Sequence, residues 1–180
     1  MKIRTFTLLA VVLSVVLPAA VAADRTAPTA VEWGAEVAAR QGQIELAVAP
    51  IRSRADLSSH LRTHRDSPLL RLPSAQRQRF IDGLVFTEQG LASYSYLPLE
   101  GALSVTDTYR ILALFGAQGS IASFQNRRPD SDAERAMLEA AGLSAMAAVP
   151  SWRHGICVIN GANRRCVRQY GSNCSRACGL

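Results

Sequence analysis

With 180 residues, 48% of them apolar and 19% charged, the chain has the make-up of a folded domain, and its composition excludes intrinsic disorder. Twenty Lys and Arg against 14 Asp and Glu give a formal charge of +6, which excludes an acidic protein and favours anionic partners. The excess is concentrated: residues 24–150 hold 13 arginines and 14 acids, a balance of −1, whereas residues 151–180 hold five arginines and no acid, a balance of +5.

The N-terminus reads as an export signal. Lys2 and Arg4 precede an almost unbroken apolar run from Phe6 to Leu17, Pro18 breaks it, and small residues at 20–22 or 21–23 suit signal peptidase. The run is short for a membrane span, which needs about 20 residues. No cysteine lies near the cleavage region, which argues against a lipoprotein anchor. Cleavage before Asp24 would leave 157 residues, enough for one domain with its own core. No later apolar run is long enough to span a bilayer, so a soluble periplasmic or extracellular protein is expected. Lys2 is the only lysine and would leave with the signal. That removes any mechanism based on a side-chain lysine.

From 24 to 150 the pattern predicts a single α+β domain. Thr29 and Glu32 form a capping box that starts a helix near 30–41, with Gly42 as its stop. Ile44, Leu46 and Val48 then alternate with Gln43, Glu45 and Ala47, a period-two strand signal closed by Pro50. Ser53 with Asp56 caps a second helix through about His64. Pro68 and Pro73 bracket a loop, and Ser74 caps a helix through Asp82. The clearest sheet signal is a β-hairpin over about 84–96, with Leu84 to Glu88 and Leu91 to Tyr96 flanking Gln89-Gly90. A two-residue turn there would put Val85 and Tyr94 on one face. Ser104 with Asp107 caps an apolar helix from Val105 to Phe115, stopped by Gly116; Tyr109, Leu112 and Phe115 spread around it, as in a largely buried helix. After a polar stretch from Gln125 to Asp132, Ser131 and Glu134 cap a short helix whose apolar side is Met137, Leu138 and Ala141. Pro150 marks the passage to a basic, cysteine-rich tail, 151–180, packed on the same domain.

Four cysteines crowd that tail: Cys157, Cys166, Cys174 and Cys178. An even number in an exported chain implies two disulfides. A hairpin with Asn160 to Asn163 as a four-residue loop puts Cys157 opposite Cys166 and favours bridging them, leaving Cys174 with Cys178; crossed and nested pairings are equally compatible with four cysteines. Structural zinc would need ligands two to four residues apart, and only Cys174 and Cys178 approach that spacing.

Few residues carry a chemical signature. His60 and His64 are four apart on a helix and point the same way, as weak candidates for a metal pair, but Leu57 and Leu61 share that face and no third ligand suggests itself. His154 lies three before Cys157, and a Cys/His nucleophile would need a free thiol. No nucleophile elbow, phosphate loop or dinucleotide fingerprint is present, and no cofactor is implied. Aromatic interleaving around the tail arginines is sparse, with Trp152 and Tyr170 alone, so nucleic acid is not an expected partner.

The expected function is that of a small exported, non-catalytic binding protein. Its anion-binding candidates are Arg153, Arg164, Arg165, Arg168 and Arg176, and its partner an acidic protein or an anionic envelope surface. A secreted hydrolase with a site assembled from dispersed residues is the alternative. Third comes a precursor that releases 151–180 as a cationic cysteine-rich peptide, for which Arg127-Arg128 and Arg164-Arg165 are dibasic pairs.

Overall fold

The computed structural model describes residues 30–124, 129, 131–140 and 152–179; the signal read at 1–23, Thr29 of the capping box, Arg127 and Arg128, Ala141 and Pro150 lie outside the described residues. The described residues form a small α+β domain with two disulfides in its C-terminal tail.

Helix α1 runs unbroken over Ala30–Val48. It passes through Gly42, expected to end it, and through 44–48, expected to be a strand. The alternation of Ile44, Leu46 and Val48 is distributed over a helix instead. Leu46 is buried together with Ala39, Gly42 and Ala49, while Ile44 and Val48 face solvent. Steps of three and four between those buried positions make one helical face. Its burial outweighs the roughly 1 kcal/mol that a glycine inside a helix costs.

Helix α2, Arg54–Thr63, begins where expected, with Ser53 Oγ accepting the Asp56 N–H at 3.1 Å. A 3-10 turn, Pro68–Arg71, occupies the proline-bracketed loop and leads to α3, Ser74–Asp82. Pro73, not Ser74, holds the N-cap position of α3, and no side chain caps it. Arg54 ties these elements together. Its guanidinium donates to the Ile81 carbonyl at 2.8 Å and the Leu84 carbonyl at 2.6 Å, and lies 5.9 Å from the centroid of the Phe86 ring. One side chain thus joins α2 to the C-terminus of α3 and to the strand that follows.

That strand, β1 (Val85–Thr87), pairs antiparallel with β2 (Gly90–Ser95) around a turn at Glu88 and Gln89. The turn is one residue earlier than expected, and Gly90 spends its φ of +113° inside the first pair of the ladder, opposite Thr87. An irregularity between Val85 and Phe86 puts Val85 opposite Ser93, so Val85 and Tyr94 do not share a face as expected. Val85 packs against the cystines, and Tyr94 lies in the main core. Ser104 Oγ accepts the Asp107 N–H at 3.1 Å and starts α4, Val105–Ala113; Val105, Thr108, Ile111 and Leu112 are buried, and Tyr109 is half-buried. Gly116, with φ +67°, then turns the chain so close to α1 that a Cβ there would lie 2.4 Å from the Glu45 carbonyl oxygen. Helix α5, Asp132–Ala140, is capped by Ser131 through the Glu134 N–H, and its Met137 and Leu138 pack on the main core. The Glu134 carboxylate reaches across to the Thr106 N–H at the start of α4.

The tail is built into the sheet. Strands β3 (Trp152–His154), β4 (Ile156–Asn160), β5 (Asn163–Val167) and β6 (Ser172–Ser175) follow one another. β6 inserts between β2 and β3, giving an antiparallel sheet of order β1-β2-β6-β3, while β4 and β5 form a separate hairpin. Tyr94, Tyr96 and Phe86 look into the helical core. Ser93 and its partner Cys174 lie on the opposite face, where the hairpin sits, with the Cys157 N–H donating to Ser93 Oγ at 2.9 Å. Helices, sheet and hairpin therefore stack as three layers.

The disulfides are nested: Cys157–Cys178 and Cys166–Cys174. Cys157 does stand opposite Cys166 in the hairpin register, around a two-residue turn at Gly161-Ala162 instead of a four-residue loop. Yet these two do not bond. Directly opposed Cβ atoms in an antiparallel pair are about 4.5–5.5 Å apart, wider than the roughly 3.8 Å a disulfide prefers. Each sulfur instead reaches out of the hairpin to the C-terminal segment. Cys157, Cys174, Cys178, Ala92 and Ala177 make a second small core, with Val85 and Cys166 against it.

Two outcomes are expected from this architecture. Replacing both cysteines of one bridge by serine lowers stability by about 3 kcal/mol, slightly more for Cys157–Cys178, whose sequence separation is 21, than for Cys166–Cys174 at 8; urea titration of the two double variants measures the order. Arg54→Ala removes the guanidinium from the half-buried Leu84 carbonyl, while the Ile81 carbonyl keeps the Leu84 N–H, and costs about 1 kcal/mol in the same assay.

Candidate functional site

Strand alternation decides which tail arginines can meet a partner. In β4–β5 the opposed pairs are Ile156 with Val167, Cys157 with Cys166, Val158 with Arg165, Ile159 with Arg164, and Asn160 with Asn163. Successive side chains point to opposite faces, so the dibasic pair Arg164-Arg165 is split. Arg164 shares the face of Cys157 and Cys166, turned toward the body of the protein, and is 24% exposed. It pairs with Glu88 of the β1–β2 turn. The Glu88 carboxyl is held below its ordinary value by its own backbone N–H first and by Arg164 next.

The outward face carries Ile156, Val158, Arg165 and Val167, of which Val158, Arg165 and Val167 are exposed. Arg168 and Tyr170 follow β5, both exposed, Tyr170 at 66%. Among the described residues neither Arg165 nor Arg168 has an acidic partner within ion-pairing distance. Arg176 lies half-buried in the 3-10 turn Arg176–Cys178, which Ser175 caps. The backbone of Arg153 pairs with Cys174 in β3. The five candidates therefore do not form one cluster: Arg165 stands free on the hairpin and Arg168 just past its end, and Arg164 is tied to the body.

Two glycines shape the mount. Gly155 joins β3 to β4, donates its N–H to the Ser172 carbonyl at 2.8 Å, and has room for no side chain: a Cβ would lie 2.5 Å from the Val167 oxygen and 2.7 Å from Cys166 Sγ. Gly171, at φ +79°, donates its N–H to Tyr96 Oη at 3.2 Å and leads into β6. Buried Ser93 and Ser175 complete the join, the latter donating to the Leu91 carbonyl and accepting from the Ala177 N–H. No sequence pattern singles these polar residues out.

His60 and His64 lie side by side on α2, with ring centroids 4.2 Å apart and planes within 12°. His60 Nε2 is 2.9 Å from Ser67 Oγ, and His64 Nδ1 is 2.9 Å from Thr63 Oγ1. Stacked rings present faces to each other and do not converge two nitrogens on one ion. Among the described residues no group of three or more His, Cys, Asp or Glu is placed to hold a metal ion. The Ser67–His60 contact resembles half of a nucleophile pair, but Ser67 is buried and its hydroxyl caps the 3-10 turn through the Leu69 N–H. His154 is exposed with its ring against Tyr96, and Cys157 beside it in sequence is oxidised.

No family model, no curated protein and no solved structure matches this chain.

The histidine pair generates a pH dependence. Burial, and after it the neighbouring His64, hold His60 below its ordinary value of 6.5, with Asp66 opposing. The folded state thus prefers neutral His60 and binds fewer protons than the unfolded chain below about pH 6.5. This contribution to stability is present above that pH and is lost as pH falls through the window between the ordinary and the lowered value. The difference in urea midpoint between the wild type and His60→Asn should therefore shrink from pH 7.5 to pH 5; a constant difference contradicts the assignment.

Proposed function

We propose that the protein is an exported, non-catalytic binding module whose disulfide-stapled hairpin contacts an anionic partner or envelope surface. The observation that carries this reading is the pair Arg165 and Arg168, exposed and without an acidic partner among the described residues, in a segment of 30 residues that contains no acid. An unpaired guanidinium offers a planar fork of donors to phosphate or carboxylate. The hairpin that bears it is held by two covalent bonds, so little ordering cost falls on binding.

Two disulfides suit the oxidising compartment to which the basic and apolar N-terminus would direct the chain. Among the described residues no helix is long and apolar enough to cross a membrane. Release of 151–180 as a peptide would withdraw β6 from between β2 and β3. For that reason we favour an intact module over a precursor.

The reading is tested by salt elution from immobilised heparin, with charge-matched variants. Arg165→Gln with Arg168→Gln should elute at clearly lower NaCl than the wild type, because exposed contacts are screened within about 10 Å at 0.1 M salt. Arg62→Gln with Arg65→Gln, which removes the same charge from exposed positions around the end of α2, should elute close to the wild type. Equal shifts in the two variants would mean that net charge alone is sensed, and the hairpin would lose its role.

A further inference from the structure

We infer that the ligand of the hairpin is an anionic lipid surface, met by the outward face of β4–β5. This inference rests on the binding role proposed above and narrows it. Two features of that face are inseparable. The first is charge: Arg165 lies on it and Arg168 just beyond its end, and the nearest acid joined to the hairpin, Glu88, is engaged by Arg164 on the opposite face. The second is apolar surface. Ile156 and Val167 are directly opposed, Val158 stands across from Arg165, and Val158 and Val167 remain 39% and 38% exposed. Tyr170, three residues beyond Val167, is more exposed still, but its ring stands edge-on to Tyr96 and is not counted with this face.

Each type of anionic partner would use these features differently. An acidic polymer or a carboxylate-rich protein surface satisfies the two arginines and leaves the valines in water or against polar groups. A bilayer interface satisfies both: phosphates lie at the level of the guanidinium heads, and the acyl boundary lies a few ångströms deeper, within reach of the apolar stems. Because the hairpin does not cross the sheet and is fastened at Cys157 and Cys166, its turn and outer face can lie on a surface without any strand of the main sheet separating. Contact is then interfacial, with the body of the domain left in water.

The experiment uses the full protein and two vesicle types, phosphatidylcholine alone and a seven-to-three mixture of phosphatidylcholine and phosphatidylglycerol, in co-sedimentation at 0.1 M NaCl, with heparin retention measured in parallel. Sedimentation is expected with the anionic vesicles only. Arg165→Gln with Arg168→Gln should reduce partitioning by about 25-fold, on the scale of about fivefold for each basic residue at an anionic surface. Val158→Ser with Val167→Ser should reduce it by about tenfold while leaving heparin retention intact. Absence of free thiols in each variant reports that the hairpin is still stapled.

Retention on heparin without sedimentation on anionic vesicles would overturn the lipid inference and leave the binding role standing, with an acidic polymer or protein as the partner. Wild-type sedimentation by the double valine variant would overturn it too, since the apolar stripe would then be idle. Failure on both matrices would remove the binding role itself.

Discussion

Two sulfur–sulfur bonds hold one layer of this protein to the rest. The β4–β5 hairpin shares no ladder with the main sheet. It is fastened at Cys157 to Cys178 and at Cys166 to Cys174, and the two cysteines on the body, Cys174 and Cys178, are completely buried. A two-stranded hairpin is marginal in water by itself. Here its inner side completes a small core of four sulfurs, Ala92 and Ala177, and Ser93 receives its backbone. The rest of the domain supplies a conventional platform, in which α4 and β2 bring Ile111, Leu112, Tyr94 and Tyr96 into one cluster with Phe80 and Phe115.

The nested pairing determines what the surface displays. With both cysteines of the hairpin directed at the body, alternation leaves Ile156, Val158, Arg165 and Val167 on the other face. Arg164 must go inward with the sulfurs, where Glu88 meets it. A segment that is uniformly basic in sequence thus becomes two-sided in space, with one arginine used to seat the hairpin and others left outside. Gly155 lets the chain pass from sheet to hairpin hard against β5, because any side chain there would collide with Cys166 or Val167.

Local chemistry was the most legible part of the sequence. Ser53, Ser104 and Ser131 cap helices where their spacing to Asp56, Asp107 and Glu134 indicates, since a cap is decided within one turn of chain. The hairpin at 84–96 and the opposition of Cys157 to Cys166 were legible for the same reason. Period alone failed at 44–48, where Ile44, Leu46 and Val48 lie on two faces of one helix, a distinction that only the packing of Ala39, Gly42, Leu46 and Ala49 can make. The insertion of β6 between β2 and β3 joins residues about 80 positions apart and leaves no local trace. The disulfide partners depend on that insertion, and so does the division of labour among the five arginines. The Ser67–His60 contact and the carbonyls held by Arg54 also belong to tertiary structure.

Arginine supplies the means to test the nested connectivity directly. Cleavage after Arg153, Arg164, Arg165, Arg168 and Arg176 places each cysteine in a different peptide: 154–164, 166–168, 169–176 and 177–180. Tryptic mass mapping of the unreduced protein should find 154–164 joined to 177–180, and 166–168 joined to 169–176. Peptides 154–164 and 166–168 joined to each other would mean that the hairpin closes on itself, that no disulfide fastens it to the sheet, and that the face it presents is not set by the bonds described here.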